Sequence, residues 1–297
     1  MAKLEEKHTG IINSIEMKKT KYKMVYWILF LLMVCISLIC LLPPVWILLS
    51  SMKDIKEFYK IPPTILPETF QPEKLLETWN KLKFIRYYIN TLELAAGCVV
   101  FSVVINGLAG YVLSRLKPKG SNFFLSLMIW TMLMPASLSL VPLFKTMIKF
   151  PIFGFNLTNT YIPMWLISGA SAYFVLIFKG FFDSIPVSLL EAARLDGCGN
   201  FKLFYKIIVP LSKPIIAVVS IFTINSAWGD FLMPYLIIKN PEKYTVMVRI
   251  FTMRGSVGFA LDIQMIALVF AIIPPIILFL IFQKHIMHGF TLSGIKG

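Results

Sequence analysis

Few residues in this chain carry chemistry, and most of them cluster. From Pro186 to Pro214 the sequence PVSLLEAARLDGCGNFKLFYKIIVPLSKP holds Glu191, Arg194, Asp196, Lys202, Lys206 and Lys213. Long uncharged runs flank this island, so it belongs in water or against another protein. Ser184 and Pro186 suit a helix start, and Ser188 with Glu191 reads as a capping box. Asp196-Gly197 suits a helix end, because glycine accepts the left-handed conformation that closes one. Phe201, Phe204, Tyr205 and Ile208 follow i, i+3, i+4, i+7, the apolar face of a second helix. The pattern is helix, tight turn, helix, held beside a membrane.

No catalytic constellation accompanies it. The chain has no G-x-x-x-x-G-K-[ST] loop, so it is not expected to be an ATPase itself. His285 and His288 stand near a helix end with no acid cluster, and His8 is alone. Cys35, Cys40, Cys98 and Cys198 lack metal-ligand spacing, so neither a zinc site nor a disulfide framework is expected. Metal ligands are therefore none.

Composition supplies the setting. The 297 residues are 57% hydrophobic and 15% charged. Soluble domains carry about 25% charged residues, so the balance argues for a membrane protein. The net charge of +14 sits between apolar runs, where lysine and arginine anchor to anionic lipid and set topology. No basic patch with interleaved aromatics forms, and nucleic acid is not an expected partner.

Six apolar stretches are long enough for a bilayer core of about 30 Å. The first is Met24 to Met52, and no small-residue cleavage site follows it, so it reads as a retained span. Pro43-Pro44 should kink or end it. The others are about Asn90–Leu113, Phe123–Phe144, Tyr161–Phe178, Pro214–Ile238 and Ile263–Phe282. The second is rich in small residues, among them Gly97, Gly107 and Gly110, which permit close helix packing in lipid. Between the first two, residues 53–88 read as an amphipathic segment at the membrane interface, with Trp79, Phe84, Tyr87 and Tyr88 near the headgroups. Prolines 135, 163, 234, 274 and 275 are hinge candidates. The expected fold is all-α and polytopic, with six transmembrane helices. Six spans put both termini on one side, with the basic loop 114–120 and the polar island. Lysine and arginine counts favour that side as cytoplasmic, though weakly.

The island also resembles a known motif. Glu191-Ala192-Ala193, three residues, Gly197, nine residues and Ile207-Ile208-Val209-Pro210 are similar to the EAA loop of permease subunits in binding-protein-dependent ABC importers. Val209 stands where leucine is usual. Asn159-Thr160-Tyr161, Phe181-Phe182 with Ile185-Pro186, Leu211 to Pro214, Trp228-Gly229-Asp230-Phe231 with Pro234, and the ending Gly289 to Gly297 resemble the maltose/oligosaccharide branch. Within it the chain looks like the six-span maltose permease partner subunit.

The resemblance implies a type I ABC importer permease fold with a cytoplasmic pair of coupling helices. It implies three regions: a tail, first span and outer loop over 1–84, a permease core over 85–285, and a cytoplasmic tail over 286–297. Glu191, Ala192, Ala193, Asp196, Gly197, Ile207 and Pro210 would form the element that couples to the ATPase, and Thr291, Lys296 and Gly297 would reach its interface. Partners would be a second homologous permease, two cytoplasmic ATPase subunits that bind the ATP, an extracytoplasmic sugar-binding protein and membrane lipid. The chain would hold no cofactor of its own. Its place would be a bacterial inner membrane, with both termini cytoplasmic, and its cargo a sugar, with an oligosaccharide as the expected class.

Four polar residues are then candidates for a translocation path. Asn106, Asn225 and Trp228 offer amides and an aromatic face to a polyhydroxylated ligand, although hydrogen bonding between helices and ordinary packing suit each one singly. Asp230 is an acid at membrane depth, open to a pore-facing, subunit-pairing or solvated structural role. Glu93 and Asp262 fall near span ends and read as interfacial. The alternative class is an ion-coupled secondary transporter. It would need ionisable groups or broken helices near the midplane, and Asp230 is all the sequence offers it.

Overall fold

A computed structural model describes residues 20–151, 154–253 and 260–294, with side chains except at 20, 136 and 284–294. The described chain forms α1 (Thr20–Ser50), a 3-10 turn (Ile55–Tyr59), α2 (Glu73–Lys81) and α3 (Phe84–Leu116). Next come α4 (Ser121–Leu133), α5 (Ala136–Ile148), α6 (Ile162–Gly169) and α7 (Ala172–Ser184). The polar island gives α8 (Val187–Leu195) and α9 (Asn200–Leu211). The chain closes with α10 (Lys213–Gly229), α11 (Leu232–Ile237), α12 (Val246–Met253) and α13 (Leu261–Gly294).

Helices α1, α3 and the start of α13 are each long and apolar enough to cross a bilayer unaided. Three further spans come from bent helix pairs: α4 with α5 at 109°, α6 with α7 at 44°, and α9 with α10 at 70°, where α10 is the spanning part and α9 belongs to the polar island. Six spans result, as the sequence predicts. The bend between α4 and α5 falls at Pro135, one of the expected hinges. The break between α6 and α7, at Ala170 and Ser171, has no proline. Of the kink or end expected at Pro43-Pro44, the end does not occur there; α1 runs on to Ser50. A spanning helix keeps its backbone bonded internally because lipid supplies no substitute, so the prolines are accommodated within it.

The middle of the bundle is built on α3. It packs against α6, α7 and α10, while α1 packs chiefly on α13. Glycines permit the approach. A Cβ on Gly97 would lie 2.1 Å from the Trp165 ring, and one on Gly110 would lie 2.7 Å from Phe178 Cβ. The small residues of the second span are thus contact points between helices.

Buried apolar residues form three clusters along the bundle. One, at the end opposite the island, joins Phe84, Tyr87, Trp228, Val246, Ile266 and Phe270. The second, midway, joins Leu94, Cys98, Met164, Ala227 and Ile237. The third lies under the island. The first cluster corrects an expectation. Trp79, Phe84, Tyr87 and Tyr88 are not a headgroup belt. Phe84 is fully buried, and Trp79 meets Phe84, Tyr88 and Phe270 at ring-centroid distances of 5.8, 5.0 and 5.0 Å. Helix α2 folds back over α3 and α13, which turns these aromatics inward.

Candidate functional site

The island is positioned from its first residue. Pro186, with φ −57° and ψ 132°, stands just outside α8, which starts at Val187. Ser188 therefore lies inside the helix, and the expected capping box does not form, because the helix opens two residues too early for it. The far end is as read. Gly197 takes φ +78°, and the N–H groups of Gly197 and Cys198 donate to Arg194 and Ala193 carbonyls, each at 3.0 Å. This closes the helix with the left-handed turn that glycine adopts without strain.

Helix α9 departs from its expected face. A π turn runs from Phe204 to Ile208. Its i→i+5 repeat stacks Leu203 above Ile208, and these two are the buried pair, at 1% and 0% exposure. Phe201 and Tyr205, expected inside, are 83% and 67% exposed. Phe204 is partly buried, its ring 4.8 Å from Tyr111.

The island therefore has two sides. Its underside, Leu190, Ala193, Leu203 and Ile208, shares one apolar cluster with Tyr111 of α3, Phe178 and Phe182 of α7, and Val219 of α10. Its outer side carries Glu191, Ala192, Arg194, Leu195, Asp196, Phe201, Lys202, Tyr205 and Lys206, all exposed. Ala193, read as a docking residue, faces the subunit's own core. Of the other motif residues, Gly197 and Pro210 are exposed and Ile207 packs partly against the shared cluster.

A polar clasp fixes the entry to the island. Arg115, at the island end of α3, donates through its guanidinium to the Phe182 carbonyl and to the Ile185 carbonyl, the latter at 2.6 Å. These carbonyls end α7, where helix C-termini leave acceptors unpaired and favour positive charge. Beside it, Ser114 Oγ donates to Asp183 Oδ1 at 2.6 Å, and Lys179 Nζ pairs with Asp183 Oδ2 at 2.7 Å. Sequence reading missed this clasp. Its visible signal was a basic residue after a span, which charge patterning assigns to lipid instead.

Deeper in the bundle, the path candidates separate. Asn106 is fully buried. Its Nδ2 donates to the Ser168 carbonyl at 2.9 Å and its Oδ1 accepts from Ser171 N–H at 3.1 Å. It brackets the break between α6 and α7, supplying bonds that the interrupted backbone lacks. Trp228 is 3% exposed and donates from Nε1 to the Ala271 carbonyl at 3.0 Å. Both point into this subunit and bond between its helices, the packing role that suits each of them singly, rather than lining a path. Asn225 is exposed on α10. Asp230 stands in the break between α10 and α11, and its Oδ1 accepts from Leu232 and Met233 N–H at 3.1 and 3.4 Å. It caps α11 and lines a cavity of about 100 Å³ with Cys98, Ser168 and Ser226. Asp262 is buried and paired with Lys74 at 3.3 Å. Glu93 is exposed on α3.

Residues 99–291 match the family described as binding-protein-dependent transport system inner membrane component. That is well over half of the chain. The chain belongs to this family. Among relatives of this transport component, the arabinooligosaccharides transport system permease protein AraQ of Bacillus subtilis (strain 168) is 30% identical over 91% of this chain and 95% of its own length. The galactooligosaccharides transport system permease protein GanQ of the same organism is 28% identical over 90% of this chain and 94% of its own. A chain in the crystal structure of a bacterial ABC transporter involved in the import of alginate, an acidic polysaccharide, superposes with a TM-score of 0.76. It is 23% identical and is covered over 98% of its length by 90% of this chain, a likeness of fold.

The membrane component's motif residues have local reasons. Asn159, with φ +62°, accepts on Oδ1 from Lys239 and Asn240 N–H and so fastens the end of α11 to the start of the fourth span. Tyr161 donates its hydroxyl to the Lys243 carbonyl at 2.7 Å. Ser212, between α9 and α10, donates Oγ to the Ile208 carbonyl at 2.6 Å and holds that bend. Among the described residues no group of three or more His, Cys, Asp or Glu side chains is arranged to hold a metal ion. Thr291 lies on the backbone of α13, while Lys296 and Gly297 lie outside the described residues.

Proposed function

We propose that this chain is one of two permease subunits of an ATP-driven importer whose cargo is a sugar, most simply an oligosaccharide. Residues 85–285 form its translocating core. An extracytoplasmic binding protein delivers the substrate, and two ATPase subunits on the cytoplasmic side bind and hydrolyse ATP. Both termini are cytoplasmic, beside the island. The permease holds no cofactor and performs no covalent step.

One observation carries this reading. The island's underside belongs to the same packed cluster as three spans, while its outer side leaves Leu195, Phe201 and Tyr205 exposed at 89%, 83% and 67%. A close-packed interior transmits displacement rather than absorbing it. A partner that grips the outer side therefore moves α3, α7 and α10 with it. Glu191, Arg194 and Asp196 add charge around the apolar centre, the anatomy of a protein interface. Closure of the ATPases would then rock the spans between two facing states. The oligosaccharides for which AraQ and GanQ are named support a sugar. An ion-coupled carrier is disfavoured, because residues 99–291 match the binding-protein-dependent transport family.

Cysteine cross-linking tests the scheme. In a background lacking the four native cysteines, Phe201→Cys should cross-link to a cysteine in the ATPase groove, with a yield that changes with ATP. Ala193→Cys, facing inward, should cross-link poorly. No cross-link from Phe201→Cys in a complex that still transports would remove the island from the coupling role.

A further inference from the structure

The segment between α1 and α2 has its polarity turned inside out. Lys53 and Glu57 are 3% and 4% exposed, whereas Tyr59, Ile61, Ile65, Leu66 and Phe70 are 71%, 97%, 71%, 65% and 66% exposed. The buried charges are satisfied. Lys53 donates to the Thr64 carbonyl, and Glu57 accepts from the N–H groups of Asp54 and Glu68 at 3.2 and 3.0 Å. A polar frame thus holds the apolar side chains outward, an arrangement that water opposes and an apolar medium favours.

The frame is tied to the membrane spans at two points. Lys53 Nζ lies 4.5 Å from the centre of the Trp46 ring, on the last turns of α1. Helical rise puts Trp46 about 6 Å short of the end of α1, so Lys53 and Thr64 fold back alongside the spanning helix instead of projecting from it. At the other side, Lys74 bonds the Lys53 carbonyl at 3.4 Å and pairs with Asp262 at 3.3 Å, in the first turn of α13. Both anchors sit where spans leave the apolar layer. We infer that residues 59–70 lie in the lipid interface of the leaflet opposite the island, with Ile61, Ile65, Leu66 and Phe70 in the acyl boundary. Trp46 and Lys53 then supply the aromatic and cationic pair common at that depth. The inference rests only on the chain spanning a membrane, and it stands whichever leaflet this is.

The test uses the assembled transporter in nanodiscs of phosphatidylcholine and phosphatidylglycerol. In the background without native cysteines, Ile61→Cys and Phe70→Cys carry an environment-sensitive fluorophore, with Glu77→Cys on exposed α2 as reference. We expect blue-shifted emission at 61 and 70, quenching by lipid spin-labelled near the headgroup, and an iodide quenching constant at least about threefold below that of position 77. Equal iodide access at all three positions would overturn the inference. So would shielding that develops only when the binding protein is added, which would make this surface a protein dock. Ile61→Asp, which keeps the buried frame, guards against disruption by the fluorophore. It should leave the assembled transporter intact and lower the lipid quenching at position 70. Unchanged quenching there would count against insertion.

Discussion

Opposite ends of the bundle each present exposed apolar side chains, but they are supported by opposite means. At the island, Leu195, Phe201 and Tyr205 stand on an apolar cluster continuous with three spans. At the far end, Ile61, Ile65 and Phe70 stand on buried charge: Lys53, Glu57 and the Lys74–Asp262 pair. Apolar packing is stiff and indifferent to pH. Charge pairs and charged hydrogen bonds are directional, and they hold a shape only in the right protonation state. The first kind of support suits a part that conveys motion. The second suits a part that must keep its form while the spans beneath it move.

That contrast can be broken most forcefully at its one exception, the Arg115 clasp, where the island end relies on charge. Arg115→Ala removes two charge-assisted bonds to the carbonyls that end α7. Each such bond is worth about 1.5–3 kcal/mol, and the loss should separate the island's motion from the spans. Binding-protein-stimulated ATP hydrolysis should then continue without matching transport. Fully coupled transport in the alanine variant would mean that apolar packing alone carries the motion.

The far end responds to a milder cut. Lys74→Met leaves Asp262 buried without its cation, at a cost of about 1–3 kcal/mol. Thermal unfolding should fall by a few degrees, and Lys74→Met with Asp262→Leu should recover much of it. No recovery would mean that Lys74 matters through its bond to the Lys53 carbonyl or its pairing with Asp54 at 3.7 Å.

The smallest effect is one of pH. Burial raises the affinity of Glu57 for a proton, but the backbone bonds from Glu68, Asp54 and Thr69 and the bond from Thr64 outweigh it, so its carboxyl stays below the ordinary 4.5. A depressed folded value means that the stabilisation is complete above about pH 4.5 and is lost as pH falls through the lower, folded value. Hydrogen exchange at the Asp54 and Glu68 amides should quicken as pH falls below the ordinary 4.5 and through the lower folded value, and Glu57→Gln should abolish that dependence.

Much of this was legible in the chain. Hydropathy located six spans because lipid demands long apolar stretches, and Gly197 marked the turn because its conformation excludes most other residues. What escaped reading depends on context. The π turn in α9 changes the helical period, so a 3.6-residue pattern chose Phe201 and Tyr205 over Leu203. Asn106 and Trp228 have side chains fit for a ligand, yet their partners are carbonyls of distant segments. Trp79 and Tyr88 look interfacial until α2 folds back. In each case the deciding contact is remote in sequence, and local pattern is blind to it.

The packing of α1 has a consequence for the order in which the protein is made. Its main neighbour, α13, begins at Leu261, 211 residues after α1 ends at Ser50. At about 5–20 residues per second of synthesis, the first helix waits roughly 10–40 s before the last one emerges to meet it. During that interval its own mean hydropathy of 2.9 retains it in the bilayer. A polar substitution on the α13-facing side of α1, harmless in the finished bundle, would act on biogenesis, and its signature would be reduced yield with normal transport per assembled complex.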